Sequence, residues 1–148
     1  MLARVTSIAL GLALAGLVGA AGAQDMVAKR QEEMKGFGKN MGIVKGAVVD
    51  KKSTLADAAA AAAHIAGDAP EIPSWFPAGS TQGETAALPV IWEKPDEFAA
   101  KAKNMGELAA KLEAAAKSGD QAAAMAAFAA LGRDGCGGCH STFRKPQS

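Results

Sequence analysis

Strong helix formers crowd this chain where strand formers are scarce. Alanine recurs in runs such as residues 58–63 and 122–124, tyrosine is absent, and Val, Ile and Thr are sparse over long stretches. Alanine has the highest helix propensity, whereas β-branched and aromatic residues favour strands, so the chain is expected to be all-α. Its 148 residues allow one domain at most. A 49% apolar fraction and a formal net charge of +1 exclude a disordered chain and a nucleic-acid binder that works through bulk charge.

The N-terminus reads as an export signal. Arg4 supplies a positive charge, residues 8–18 are uncharged and apolar, and Ala21-Gly22-Ala23 forms an A-x-A cleavage site. The competing reading is an uncleaved membrane anchor, because residues 5–24 carry no charge over nearly a bilayer's thickness. The small residues at the end of the run favour cleavage after Ala23. The expected products are a signal peptide, residues 1–23, and a mature domain, residues 24–148, with no membrane association and with its charges in balance once Arg4 is lost.

Four helices are expected in that domain, an antiparallel bundle with a long loop between the second and third. The first spans residues 25–51, with Asp25 as a candidate cap and Val27, Met34, Met41, Val44 and Val48 at helical spacing. Gly36, Gly38, Gly42 and Gly46 interrupt it and suggest close approach of a neighbour. The second starts at a Ser53/Thr54 cap, presents Leu55, Ala58, Ala62 and Ile65, and stops at Gly67. His64 falls off that stripe, on a flank or at the surface. Prolines 70, 73, 77 and 89 forbid a long helix over residues 67–94, yet Ile72, Trp75, Phe76, Leu88, Val90, Ile91 and Trp92 are too apolar for a solvated linker. This loop is expected to fold over the core, with Phe76 and Trp92 as packing residues. The third helix begins at Pro95 with Phe98, Met105, Leu108 and Leu112 as its stripe. Ser118-Gly119-Asp120 recaps the chain for a fourth helix, residues 121–144, with Met125, Phe128, Gly132, Cys136, Cys139, His140 and Phe143 on one side.

Cys136-Gly137-Gly138-Cys139-His140 has the C-x-x-C-H spacing used for covalent haem attachment. On a helix its two thiols and imidazole fall at i, i+3 and i+4, on one face. A disulfide between the two cysteines would close too small a loop to stabilise the fold appreciably. A thioredoxin-like redox motif belongs at the start of a helix after a strand, and this motif follows a long helical stretch. A zinc site needs a fourth ligand, and His64 is the only further His or Cys. Covalent haem is the reading that uses all three residues.

With this motif, four stretches resemble the cytochrome c′ family, the class II c-type cytochromes. They are Arg30-Gln31-Glu32-Glu33-Met34-Lys35 with Gly38 to Gly42; Phe76-Pro77-Ala78-Gly79 and Leu88-Pro89-Val90-Ile91-Trp92; Ala115 to Asp120; and Cys136 to Arg144. The resemblance covers the whole mature chain and implies a periplasmic four-helix bundle with one haem c attached through Cys136 and Cys139. It makes His140 the proximal iron ligand and places Met34 on the distal side, as a possible second ligand. It sets Arg30 near the haem propionates with Gln31 beside it, and Arg144 near the proximal face.

Axial ligation then separates two functions. An apolar distal side chain that does not bond leaves iron open to NO and CO while disfavouring water and anions. A bonding Met34 gives a low-spin electron carrier. The residues before Met34 and the Leu88 to Trp92 segment look more like the five-coordinate branch, so NO or CO binding with possible electron transfer to an unknown redox partner is expected, and the six-coordinate His/Met carrier is the alternative. No enzymatic activity is expected, since a peroxidase-like haem needs distal acid–base groups that Met34 and its stripe do not supply. The resemblance also implies a possible homodimer through the first two helices.

Overall fold

The computed structural model describes the backbone of residues 15–81 and 83–146, with side chains from residue 25 onward. Most of the expected export signal lies outside the described residues; its last part is helical backbone, because α1 spans Ala15–Val48. Asp25 is therefore inside a helix and caps nothing, a correction that follows from the helix-compatible residues on both sides of it. α1 buries Val27, Val44 and Val48 as expected and adds Phe37 and Arg30 to that face. Met34 and Met41 are half-buried against the core. The helix ends at Val48 rather than Lys51, since Lys51 takes φ 54° and the Lys52 N–H turns back to the Gly46 carbonyl at 2.7 Å. Close approach at the α1 glycines is found only at Gly46, where an added Cβ would stand 3.1 Å from Ser53 Oγ; Gly36, Gly38 and Gly42 have nothing within 4 Å.

α2 spans Leu55–Asp68 behind the expected Thr54 cap. The Asp57 N–H donates to Thr54 Oγ1 at 3.1 Å and the Thr54 N–H to Asp57 Oδ2 at 2.9 Å, a reciprocal capping box. His64 is exposed, as its position off the stripe implied. The connection to the next long helix is more regular than expected: a 3₁₀ helix over Ala69–Trp75 continues α2, and α3 spans Val90–Glu93. Proline is tolerated at a helix start because the first N–H groups have no partner there, so Pro70 and Pro89 shorten the pieces without abolishing them. The connection does fold over the core, where Ile72, Trp75 and Ile91 are buried.

α4 spans Pro95–Lys117 with Pro95 at its first position and buries Phe98, Met105 and Leu112. Asp120 then caps α5, Gln121–Ala130, by accepting from the Ala123 N–H at 2.9 Å. The expected uniform helix over residues 121–144 is instead three pieces: α5, a π-helical segment over Leu131–Gly137, and α6 over Gly138–Phe143. This corrects the assigned stripe. A π turn bonds i to i+5 and absorbs an extra residue, so the face upstream of it is rotated away, and Met125 is 48% exposed.

Neighbouring long helices run antiparallel. α1 packs on α2, α2 on α4, and α4 on α5. The bundle closes where α5 returns to α1, with the Gln121 side-chain amide donating to the Val48 carbonyl at 2.8 Å and Met41 facing Gly132. Among the described residues the only β pairing is an isolated bridge, Ala87 to Arg144. No helix among them is long and apolar enough to cross a membrane.

Candidate functional site

One end of the bundle holds a cavity of about 400 Å³ between α1, the connection and the chain's C-terminal turn. α1 contributes Arg30, Gln31, Met34 and Lys35; the connection adds Phe76, Thr85, Ala86, Ala87 and Ile91; α4 adds Phe98. Cys139, His140, Phe143 and Arg144 close it from the other side. Six of the seven residues singled out in the sequence thus line one cavity. Cys136 is the exception: it stands half-buried in the π segment and is not part of the lining.

Three phenylalanines, Phe76, Phe98 and Phe143, line the cavity. Phe98 meets Phe76 at 4.9 Å and Phe143 at 5.1 Å, both edge-on. Edge-to-face packing of this kind holds rings rigid, giving a firm apolar slot. Phe76 was expected to be simple packing, and it does pack against the core, but it also faces the cavity. The signals that could have found Phe98 and Phe143 were present, since both sit on helical stripes. Thr85, Ala86 and Ala87 carried no such signal. They reach the site because the Lys145 N–H donates to the Ala86 carbonyl at 2.8 Å and the Leu88 N–H to the Phe143 carbonyl at 3.0 Å, which straps the connection to the C-terminal turn.

Two arginines bring charge to this slot. Arg30 is 3% exposed and lies over the Phe76 ring at 4.7 Å while donating to the Ser80 carbonyl. Its Nε and Nη1, and Arg144 Nε, are buried without a hydrogen-bond partner. Burial lowers the Arg30 pKa from its ordinary value, but a guanidinium stays charged in any case. Gln31 is tied down by donating to the Glu84 carbonyl at 2.8 Å. No carboxylate is among the described residues that line the cavity, so the two guanidinium groups make its lining positive.

The motif residues have matching chemistry. Both cysteines are free. Burial raises the Cys136 thiol and pushes Cys139 up to about 11, so both are neutral thiols at neutral pH. Such thiols are poor thiolate nucleophiles and poor zinc ligands, and no group of three or more metal-ligating side chains occurs among the described residues. His140 is shifted down, by burial first and by Arg144 second. Its imidazole is therefore neutral and keeps a lone pair for a metal. Cysteines able to form thioethers, a neutral imidazole, an aromatic slot and orphaned guanidinium nitrogens suit a flat, dianionic macrocycle.

A helical bundle built around such a slot defines a c-type haem protein. The chain belongs to the cytochrome c′ family: the family described as Cytochrome C′ matches residues 25–144. It is 41% identical over 119 residues to cytochrome c-556 of Agrobacterium tumefaciens (strain II Chrys), covering 80% of this chain and 95% of that protein. Cytochrome c′ of Pararhodospirillum photometricum is 38% identical over 117 residues, covering 78% and 93% respectively. Among solved structures, the nitric oxide complex of a mutant cytochrome c prime from Alcaligenes xylosoxidans superposes with a TM-score of 0.74 at 26% identity, over 84% of this chain and 97% of that one. The four-helix bundle is that of the family. Its cofactor is haem c, bound covalently through Cys136 and Cys139.

Proposed function

We propose that the mature chain is a periplasmic, non-enzymatic haem protein that binds NO or CO reversibly and also carries electrons. The observation that carries this reading is the cavity itself, which joins Met34 of α1 to His140 of α6 through aromatic walls. Haem bound here would supply a one-electron couple and a metal that can take a small ligand. His140 would hold the iron through its neutral imidazole. Met34 screens the other face with an apolar side chain, and Phe76, Phe98 and Ile91 exclude water and offer no hydrogen bond to an anion. Arg30 and Arg144 line the cavity and would meet the charge of the propionates. The relative solved with nitric oxide is consistent with this use of the fold.

A second reading is favoured by one feature: Met34 is the only thioether in the cavity wall. Bonded to the iron, it would make the protein a six-coordinate electron carrier. Absorption spectra of the mature protein, oxidised and dithionite-reduced, with and without CO, separate the two. A broad, unsplit reduced band and a Soret shift on CO are expected. Sharp, split bands unmoved by CO would overturn gas binding in favour of the carrier. The exposed Ile43 on α1 also fits a homodimer through α1 and α2, which sedimentation equilibrium tests.

A further inference from the structure

Of the four lysines on α4, Lys103, Lys111 and Lys117 are exposed and Lys101 is not. Lys94, Lys103 and Lys117 each reach a carboxylate, at Glu97, Glu107 and Glu113. Lys101 is half-buried and makes no ion pair among the described residues. Its natural partner would be Glu97, one turn earlier on the same helix, but Glu97 pairs with Lys94 at 3.3 Å. The Lys101 ammonium turns instead to the attachment motif, where a Cβ built on Gly138 would stand 4.0 Å from its Nζ. Its charge also acts on Cys139, opposing the effect of burial on that thiol.

We propose that Lys101 is a redox-tuning cation, whose charge beside the Gly138–Cys139 turn raises the reduction potential of the haem attached there. The inference rests on the haem reading above. A thioether places the macrocycle edge next to Cys139, and hence near the Lys101 ammonium. The oxidised haem carries one more positive charge than the reduced form, so a fixed neighbouring cation destabilises it relative to the reduced state. At an effective dielectric constant of about 20, a unit charge within about 10 Å shifts such an equilibrium by roughly an order of magnitude. Salt weakens the effect because Lys101 is only partly buried.

The test is a potentiometric titration of the haem-loaded mature protein at low and high ionic strength, with dithionite as reductant and ferricyanide as oxidant. Lys101→Gln and Lys101→Met should each shift the reduction equilibrium three- to tenfold towards the oxidised form, about 30 to 60 mV at 59 mV per tenfold for one electron. Lys101→Arg should restore the wild-type value, and Lys101→Glu should lower it further. Lys103→Gln, on the same helix but exposed and paired with Glu107, should leave it nearly unchanged. High salt should narrow the gap between wild type and the neutral variants. Both neutral variants, or the one that loads haem, matching the wild-type potential at low salt would overturn the proposal. A wild-type chain without covalent haem, read by in-gel haem staining, would instead bring down the reading on which it rests.

Discussion

At the residue scale the site depends on side chains that are apolar or unpaired where a surface helix would place solvated ones. Met34 is the informative position, because its role can be read without disturbing the rest of the cavity. Met34→Ala should leave haem attachment intact and speed CO association by about tenfold, equivalent to some 1.4 kcal/mol less steric obstruction. Stopped-flow mixing of the reduced protein with CO measures this, and an unchanged rate would show that Met34 does not screen the iron. C-x-x-C-H declares its own chemistry, whereas Met34 and Arg30 were marked as site residues by the family resemblance. That Arg30 is buried with unpaired nitrogens was not legible. A stripe position says which way a residue points, but only the packed Phe76 ring and the Ser80 carbonyl reveal what it meets.

At the element scale, the helix starts were read correctly wherever a cap drives them. Thr54, Pro95 and Asp120 each work through local bonds or the local absence of one. The Thr54 box carries a pH signature. Hydrogen bonds from the Thr54 backbone and then its hydroxyl lower the Asp57 carboxyl below its ordinary value of 3.8. The unfolded chain therefore takes up this proton before the folded one does. The contribution is present in full above the ordinary value and is lost as pH falls through the lowered one, fading from about pH 5 downward. Urea melts across that range should show a smaller acid-induced loss for Asp57→Asn than for the wild type.

The π segment that runs into the motif was missed, because periodicity assumes one helical pitch and an i to i+5 turn leaves no composition mark. Its packing gives a second test. An added Cβ at Gly135 would stand 3.0 Å from Leu131 Cδ1 and 3.6 Å from Met105 Cα. Gly135→Leu should therefore cost about 1–3 kcal/mol by overpacking and reduce haem incorporation per chain, while Gly135→Ala should do less of both. Thermal melts and haem staining against total protein check the two effects.

At the whole-molecule scale, a slot of about 400 Å³ in a small bundle leaves aromatic faces without contacts until something fills it. A covalently held group that fits only the folded chain should contribute to stability as any ligand of the native state does. Mature protein with Cys136→Ser and Cys139→Ser, which cannot retain haem covalently, should melt well below the loaded wild type and bind an apolar dye more strongly. Equal melting temperatures would mean that the bundle does not rely on its cofactor. The strap from residues 84–88 to the C-terminal turn should be the first part to loosen in that form, which hydrogen exchange at Leu88 and Lys145 can follow.

Helix propensity, proline and cap positions, and the C-x-x-C-H spacing are local properties. They settled the all-α class, the order of the long helices and the attachment chemistry without reference to anything distant in the chain. The cavity wall, the unpaired guanidinium nitrogens and the turn of Lys101 towards Gly138 depend on which segments pack together. Residues 85–87 come to line the same cavity as His140 through hydrogen bonds that tie their segment to residues 143 and 145. Glu97 pairs with Lys94 and not with Lys101. Contacts of that kind come from burial and competition among partners across the fold, so they became visible once the helices were assembled.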